Sequence, residues 1–493
     1  MRYRILIPLI LLAGFSLIVA AQFSIPTLFG ADGYLHIRMS EFLREHGPRY
    51  NFHWARFSFF ADRFCDKDFL YHALLIPFTF GKDIFFNAKV SAALFAGLLY
   101  LVFFLSLRRY CAIRSVVAAA LVAFLLSAPF VRALCEPRNM VMIIGLTLVF
   151  TDALIRNRHR LLFFIALVYT LSHVSGPYLI LFVLLGEGVR YANERTWGWK
   201  NLLAVVLGVG TGMLLHPNFP HNFLYFYLNG IAVPIFSLKW GLELGAEFFP
   251  IDTRDLVLGY PVLFIALLLL LVLGSATANK IKTSTKIWMA IAGFFFVFSF
   301  FSRRYLIHCY PMALVSTAAF TSDWWESAPR WGPLRSRSAQ AGALVVALSL
   351  AGLLGAHTYK EFETIRLSER VFNGHYEAVG KFMEQHVPAG EVVFHANWSD
   401  SQYFIGLNPK DDYFVTLDPV YMFYWDKEKY RLYREIAFGN NRDPYDILKN
   451  TFGVHYGYAG KNYFSGLVNQ VKNDSRFQVM AENELGVVFK LVD

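Results

Sequence analysis

The main pattern along this chain is a series of long apolar runs separated by short polar connections. A helix needs about 20 apolar residues to cross the hydrocarbon core of a bilayer. Eleven runs approach that length, at residues 4–22, 84–107, 114–133, 138–155, 161–175, 177–190, 201–216, 256–275, 287–301, 304–320 and 340–357. The pattern predicts a mainly α, polytopic membrane protein with about 11 transmembrane helices. The first run follows two arginines and also fits a cleaved signal peptide, but its length favours a membrane anchor.

Three longer segments, residues 23–83, 217–255 and 358–493, are more polar than these runs. The last one alternates short β-forming stretches with helical stretches. The predicted strands lie at 390–398, 412–418, 452–459 and 484–492, and the predicted helices near 361–387, 425–437 and 463–473. Such alternation predicts a small α/β domain. The chain is therefore expected to have a transmembrane domain, residues 1–357, with outer loops 23–83 and 217–255, and a C-terminal domain, residues 358–493.

Composition supports a membrane protein and argues against several soluble classes. The 493 residues are 56% hydrophobic, with a mean hydropathy of +0.41, which is more apolar surface than a soluble fold buries. The net charge of +10 is spread over many short loops, so no nucleic-acid partner is predicted. The four cysteines show no metal-ligand spacing and indicate neither a zinc site nor a disulfide framework.

The distribution of positive charge predicts the topology. Cytoplasmic loops keep Lys and Arg during insertion, and with the N-terminus inside every short inner loop is basic. These residues are Arg2 and Arg4; Arg108, Arg109 and Arg114; Arg156, Arg158 and Arg160; Arg190, Arg195 and Lys200; Lys280, Lys282 and Lys286; Arg330, Arg335 and Arg337. We therefore expect a multi-pass protein of the bacterial inner membrane with a cytoplasmic N-terminus and a periplasmic C-terminal domain.

The first outer loop begins with the stretch "GADGYLHIRMSEFLREHG". Asp32 stands where a helix N-cap belongs, and His36 follows one helical turn later. Leu35, Met39 and Phe42 fall on a separate stripe, which predicts an amphipathic helix at the membrane surface. The alternative is that Asp32 is only a cap and that His36 and Arg38 are solvated.

A second acidic group closes the same loop in "FADRFCDKDFLYHALLIPF". Asp66 and Asp68 form a D-x-D pair, and two nearby carboxylates can share one hard cation. His72 follows four residues after Asp68. For Asp66 an exposed charged turn is an equally good interpretation, whereas Asp68 and His72 lie next to the apolar run.

Ionisable residues recur at other predicted outer rims. Such groups are expensive at membrane depth unless they face a cavity or a partner. They are Arg132, Glu136 and Arg138 in "RALCEPRNM", His173, His216, and Arg303 with Arg304 in "FFSRRYLIH". Arginines beside carboxylates suit a phosphate-bearing lipid substrate, because the guanidinium fork pairs with phosphate and a carboxylate binds a metal or accepts a proton.

With these features the chain resembles the GT-C glycosyltransferases, which use polyprenyl-phosphate or polyprenyl-diphosphate sugars. The segment "ADGYLHIR" after the first run is similar to the first loop of oligosaccharyltransferase catalytic subunits. That resemblance implies metal and acceptor binding by Asp32, and it places Glu136 like the second acidic motif. "HANWSDSQYF" keeps Trp398 and Asp400 of the acceptor-reading motif but lacks its second Trp and its Tyr-Gly. The tail resembles those of protein O-mannosyltransferase and aminoarabinose transferase-like proteins.

The expected activity is inverting transfer of a sugar or glycan from a polyprenyl-phosphate carrier to a protein, lipid or glycan acceptor on the outer face. Asp32 and His36 are the predicted catalytic residues. The predicted donor phosphate ligands are Arg303, Arg304, Arg138 and Arg132, and the other pocket residues are Arg38, Glu136, His72, His173 and His216. Mg²⁺ or Mn²⁺ would be bound by Asp32, Glu136 and Asp68. A lipid or glycan flippase and a non-catalytic sensor are the alternatives, although no inverted repeat supports transport.

Overall fold

A computed structural model describes residues 2–49, 51–277, 281–327 and 337–492. Lys280, Arg330 and Arg335, which were assigned to inner loops, lie outside the described residues. The described chain is mostly helical with one small sheet near its C-terminal end, as the sequence predicts.

Each of the eleven apolar runs lies on helical structure. The helices up to the second long loop are α1 (Arg2–Gln22), α2 (Asp32–His46), α3 (Phe60–Arg63), α4 (Phe69–Leu75), α5 (Ile84–Tyr110), α6 (Arg114–Ala123), α7 (Ala128–Cys135), α8 (Met140–Ile155), α9 (His159–Ser172), α10 (Tyr178–Glu194) and α11 (Trp199–Leu214). Those that follow are α12 (Asn222–Tyr227), α13 (Val233–Trp240), α14 (Thr253–Gly259), α15 (Pro261–Thr277), α16 (Thr283–Ser299), α17 (Tyr305–Ser327), α18 (Arg337–His386), α19 (Asp400–Leu407), α20 (Val420–Trp425), α21 (Lys427–Ala437), α22 (Pro444–Asp446) and α23 (Ser465–Asn473).

By length and composition, two helical stretches of the described chain could cross a membrane, Ile5–Gln22 and Ile84–Tyr110. Two bent pairs would raise this number to four: α6 with α7, bent by 74°, and α14 with residues 261–270 of α15, bent by 96°. The first bend has a local cause, because Ser127 caps α7 by accepting a hydrogen bond from the Phe130 amide. The apolar helices indicate a membrane protein, and the number eleven stays a prediction.

The described residues form two compact units. The first, unit 1, consists of Met1–Ile25, Lys89–Leu214 and Gly245–Ser368. Helices α9 and α11 approach closely there because Gly208 lies against the Phe163 carbonyl and Gly212 against Thr170. Small residues commonly allow such close contacts between apolar helices.

A buried ion pair joins three helices of unit 1. Glu187 and Arg190, both on α10, pair with each other. Arg190 also donates to the Leu154 carbonyl at the end of α8, at 2.8 Å, and Asn201 of α11 donates to Glu187, at 2.6 Å. The charges are thereby satisfied, which burial of an ion pair requires.

The second, unit 2, consists of Pro26–Ala88, Leu215–Leu244 and Glu369–Asp493. It contains a five-stranded mixed sheet of order β2-β1-β3-β5-β4, in which β1 pairs in parallel with β2 and β3, and β5 pairs antiparallel with β3 and β4. The strands are β1 (Val392–His395), β2 (Asp412–Tyr413), β3 (Tyr456–Gly460), β4 (Phe477–Glu482) and β5 (Gly486–Leu491). Four strands were predicted from the sequence, and β4 was not.

The first loop extends this sheet. Residues Ala55 and Tyr413 form a parallel bridge beside β2. The Tyr413 amide donates to the Trp54 carbonyl at 2.7 Å, and the Arg56 amide donates to the Tyr413 carbonyl at 2.8 Å. The Trp54 indole donates to the Pro409 carbonyl at 2.7 Å. Residues far apart in the chain thus build one unit.

Helix α2 differs from the predicted surface helix. It is enclosed in unit 2, where it packs against α19 and α4, and His36 on it is buried. The proposed solvation of His36 is therefore wrong. The helix also begins at Asp32 itself, so its N-cap is Ala31 and the predicted cap position of Asp32 is shifted by one residue.

Candidate functional site

Three buried side chains in unit 2, Asp66, His72 and His36, are joined in series by hydrogen bonds. The Asp66 carboxylate accepts from the His72 Nδ1–H, with both oxygens at 2.7 Å. The other ring nitrogen of His72, Nε2, lies 2.7 Å from His36 Nδ1, so one proton is shared between the two imidazoles. All three residues are buried, with exposed fractions of 1% to 4%. The interpretation of Asp66 as an exposed turn is therefore wrong.

The local backbone positions the Asp66 carboxylate. The Asp68 amide donates to Asp66 Oδ1 at 3.1 Å, which forms a turn just before α4. His216 Nε2 donates to the Asp66 carbonyl at 3.1 Å, and the Asp66 amide donates to Asn218 at 3.0 Å. His216 is thus assigned to orienting the Asp66 backbone.

This arrangement has the form of a base with an orienting partner. A carboxylate that binds one imidazole nitrogen fixes the tautomer of the ring and stabilises its charged form. When His36 donates its Nδ1–H to His72, its Nε2 carries the lone pair that a general base needs. The predicted residues His36 and His72 therefore lie together, and Asp66 is a member that the sequence reasoning set aside.

Asp32 and Arg38 lie on the same helix as His36. Asp32, half-buried, is in the first turn of α2, one turn before His36. Arg38 donates to the Gly406 carbonyl through Nε, at 3.1 Å, and through one terminal nitrogen, at 2.8 Å, and it also pairs with Glu41. The arginine thus joins α2 to α19.

Unit 1 contains a separate cluster of arginines and carboxylates. Glu136 pairs with Arg132 at 2.7 Å and with Arg138 at 3.5 Å. Glu247 pairs with Arg304 at 2.8 Å and with Arg138 at 3.5 Å. Three guanidinium groups thus lie around two carboxylates. Three of the four predicted phosphate ligands are brought together here.

The fourth predicted ligand, Arg303, takes a different partner. Its guanidinium lies 3.7 Å from Asp255, and both side chains are exposed. Its backbone amide donates to the Phe249 carbonyl at 2.9 Å. Arg303 therefore holds the end of the second long loop.

Glu247 is a member of the cluster that sequence reasoning missed. Burial would raise the pKa of this carboxyl, but the surrounding guanidiniums, first Arg304 and then Arg138, lower it to about 2. It lies in a short 3₁₀ turn, Ala246–Phe248, of the second outer loop, where no periodicity or motif marks it in the sequence.

Lys89 is a second missed residue. It is buried near the start of the long apolar helix α5, where its ammonium group donates to the Ile25 carbonyl and lies 5.2 Å from the Phe23 ring centre. Cys135 lies within electrostatic reach of Lys89, Arg132 and Glu136, so Lys89 belongs to the surroundings of the arginine cluster. A lysine inside an apolar run is itself a signal of function.

His173 has a local role in unit 1. It ends α9, and its Nδ1 lies 2.6 Å from the Ser175 hydroxyl and accepts from the Ser175 amide at 3.1 Å. The neighbouring Ser172 carbonyl accepts from Asn139, at 3.0 Å, in the turn that also carries Arg138. His173 thus shapes the turn after α9.

The tail residues named by the resemblance lie just after β1. Trp398 is half-buried, whereas Asp400 is buried at the start of α19. The Tyr376 hydroxyl donates to Asp400 at 2.6 Å. Burial raises the pKa of Asp400 to about 7, although the bonds from Tyr376 and the Asn397 amide act in the opposite direction.

Two of the three carboxylates predicted to bind Mg²⁺ or Mn²⁺, Asp68 and Glu136, have cationic partners. Asp68 pairs with Lys67 at 2.6 Å, and Glu136 pairs with the arginines described above. Within residues 2–49, 51–277, 281–327 and 337–492, no group of three or more His, Cys, Asp or Glu side chains is placed to hold a metal ion. Metal binding by Asp32, Glu136 and Asp68 stays a prediction.

Similarity to known proteins is found in structure and not in sequence. No family model matches the chain, and no curated protein matches it. The Archaeoglobus fulgidus oligosaccharyltransferase in its apo form has a TM-score of 0.64 at 11% identity, over 92% of this chain and 69% of that chain. ArnT from Cupriavidus metallidurans bound to undecaprenyl phosphate has a TM-score of 0.62 at 14% identity, over 98% and 97%.

A third structure, the arabinofuranosyltransferase AftD from Mycobacteria, has a TM-score of 0.55 at 13% identity, over 98% of this chain and 41% of that chain. All three are GT-C glycosyltransferases. The resemblance inferred from the sequence is therefore confirmed at the level of the fold: this chain has the GT-C glycosyltransferase fold.

Proposed function

We propose that this chain is a membrane glycosyltransferase that moves a sugar or glycan from a polyprenyl-phosphate carrier to an acceptor on the periplasmic face of the inner membrane. The observation that carries the proposal is the fold shared with ArnT from Cupriavidus metallidurans, a structure bound to undecaprenyl phosphate, over nearly the full length of both chains.

The arginine cluster of unit 1 would bind the donor phosphate. Arg132, Arg138 and Arg304 lie together around Glu136 and Glu247, and guanidinium groups pair with phosphate through two parallel hydrogen bonds. As the bond to the sugar breaks, negative charge grows on the leaving phosphate. Preorganised cations at that point usually contribute most of the catalysis.

Asp32 and His36 would act on the acceptor. The acceptor hydroxyl or amide attacks the anomeric carbon in line with the leaving phosphate, so the configuration inverts. Asp32 is the proposed base, and His36, supported by His72 and Asp66, is the second group able to accept the acceptor proton. Trp398 and Asp400 stay predicted acceptor-domain residues.

A second candidate within the class is an oligosaccharyltransferase that acts on protein. The structure of the Archaeoglobus fulgidus enzyme favours it, with the highest TM-score of the three comparisons. Against it stands the incomplete acceptor motif around Trp398. A flippase for a polyprenyl-linked lipid is the alternative outside the class.

Asp32→Asn tests the proposal. Purified protein is given radiolabelled undecaprenyl-phosphate hexoses and pentoses together with membrane extract as acceptor, and transferred label is counted. We expect the variant to lose transfer by about 100-fold or more, because a positioned base contributes that much. Asp62→Asn, an exposed acid of the same loop, serves as the control and should keep the wild-type rate.

Full transfer by Asp32→Asn would reject Asp32 as the base. Wild-type protein that moves labelled lipid between leaflets of a vesicle without transferring sugar would reject the enzyme class in favour of the flippase. A glycosylated protein product would select the oligosaccharyltransferase.

A further inference from the structure

A basic cleft lies in unit 1, away from the arginine–carboxylate cluster. It has a volume of about 420 Å³ and is formed by the end of α5, the second half of α8 and the connection into α9. Its lining is Val102, Leu105, Ser106, Arg108, Arg109, Val149, Asp152, Arg158 and Leu161. The volume is within the range of small-ligand sites.

The charges of the cleft are unbalanced. Asp152 pairs with Arg109 at 2.6 Å and accepts from the Tyr110 hydroxyl at 2.8 Å, so one arginine is neutralised. In the described part of the chain, neither Arg108 nor Arg158 has an acidic partner within ion-pair distance, and both are exposed. Two guanidinium groups therefore remain for an anion.

An apolar track continues from the same cleft. The exposed side chains Leu94, Leu98, Leu101 and Leu105 follow one face of α5 at spacings of three and four residues. This track is about 16 Å long at 1.5 Å per residue, close to the depth of one leaflet of a bilayer with a core about 30 Å thick. Its far end lines an apolar groove of about 390 Å³ against Leu11, Leu12 and Phe15 of α1.

We propose that this cleft binds an anionic phospholipid of the cytoplasmic leaflet, with the headgroup phosphate at Arg108 and Arg158 and an acyl chain along the leucine track of α5. The predicted topology places both arginines in cytoplasmic loops. Basic pockets between membrane helices on that side suit anionic lipid headgroups. A free phosphate would use the arginines but gain nothing from the leucines.

The test is native mass spectrometry of the full-length protein in detergent, titrated with palmitoyl-oleoyl phosphatidylglycerol or the matching phosphatidylcholine. We expect the wild type to prefer phosphatidylglycerol. Arg108→Gln/Arg158→Gln should bind it about tenfold more weakly, since each basic group near an anionic lipid contributes measurably. Arg114→Gln/Arg160→Gln makes the same charge change at exposed positions outside the cleft and should bind as the wild type does.

Two further measurements identify the ligand as a lipid. Leu105→Gln should also weaken binding of phosphatidylglycerol, and inorganic phosphate in tenfold excess should not displace the lipid. Equal weakening in both double arginine variants, equal binding of the two lipids, or displacement by inorganic phosphate would each overturn the proposal. Both leucine and arginine positions are exposed, so the substitutions leave the packed core intact.

Discussion

Asp66 shows how a single carboxylate can determine what two histidines do. It binds His72, which in turn binds His36, and its own backbone is held by His216 and Asn218. In Ser-His-Asp triads a buried aspartate similarly sets the tautomer of the working imidazole without touching the substrate. Under the proposed function, Asp66 is a positioning residue and His36 is the group nearer to the chemistry.

Asp66→Asn is expected to lower the turnover of the proposed transfer reaction by about 100-fold, because the amide keeps the shape of the carboxylate but removes the charge that supports the imidazoles. The KM for the lipid-linked donor should stay the same. The measurement is the kcat and KM of label transfer for the single variants and for the double variant Asp66→Asn/His36→Gln.

Residues that act as one unit are not additive, so the double variant should be no slower than His36→Gln alone. A double variant slower by the product of both effects would show that Asp66 does not work through His36. Thermal unfolding of each variant separates this effect from loss of the fold.

At the residue scale the sequence could identify chemical types but not partners. His36 was predicted from its helical spacing to Asp32, and His72 from its position beside the apolar run. Arg132, Arg138 and Arg304 were predicted from charge at membrane depth. Asp66 was set aside because a D-x-D pair in a loop is commonly exposed, and only tertiary packing shows it to be buried. Glu247 lies in a loop without periodicity, so nothing local marked it.

At the scale of elements, the contact of α2 with α19 depends on one glycine. Gly406 faces Tyr34 so closely that an added Cβ would lie 2.6 Å from the Tyr34 Cβ and 2.8 Å from its carbonyl oxygen. Arg38 donates to the Gly406 carbonyl in the same place. This close approach holds the helix that carries Asp32 and His36.

Gly406→Ala is expected to destabilise the protein by about 1–3 kcal/mol, because the backbone must move to admit the methyl group. The proposed transferase activity should fall as well, since α2 would shift. Gly374→Ala is the matched control: it lies in helix α18 with no atom within 4 Å of the added Cβ, and it should be neutral or stabilise by up to about 1 kcal/mol. A melting temperature that falls equally in both variants would contradict the close-packing argument.

Periodicity predicted most elements because apolar runs and alternating strands are local signals. It failed at β4, whose side chains are mostly exposed or half-buried, so no apolar stripe marks the strand. It also failed at the bend between α6 and α7, because an apolar run stays apolar across a Ser-capped break. The prediction that α2 is exposed was wrong because the helix that covers it, α19, is distant in sequence.

At the scale of the whole molecule, Asp400 links stability to pH. Its pKa is raised to about 7 in the fold from 3.8, mainly by burial. The folded protein therefore keeps a proton that the unfolded chain loses. The resulting stabilisation is complete below about pH 3.8 and is lost as the pH rises through about 7.

Asp400→Asn should abolish this part of the pH dependence, because the amide cannot ionise. We expect the variant to gain stability relative to the wild type as the pH rises from 5 to 8, measured by thermal unfolding with intrinsic fluorescence. Asp62→Asn, an exposed acid, should leave the profile unchanged. Parallel pH profiles for Asp400→Asn and the wild type would contradict the assignment.

The mainly helical architecture could be predicted from composition, because in a bilayer the backbone polar groups must be hydrogen-bonded within the protein, and helices satisfy this. The discontinuous make-up of unit 2 did not follow, since the bridge between Ala55 and Tyr413 is encoded in no local pattern. Such a pairing depends on complementary surfaces that a single sequence does not display.

That bridge has a consequence for the order in which the protein matures. His53 binds Asp412, 359 residues later in the chain, at 2.7 Å. At a translation rate of 5–20 residues per second, the partner is made roughly 20 to 70 s after the first loop. During that interval the strand that pairs with the first loop has not yet been synthesised. The ribosome must therefore finish most of the chain before the segment carrying Asp32 and His36 acquires its final form.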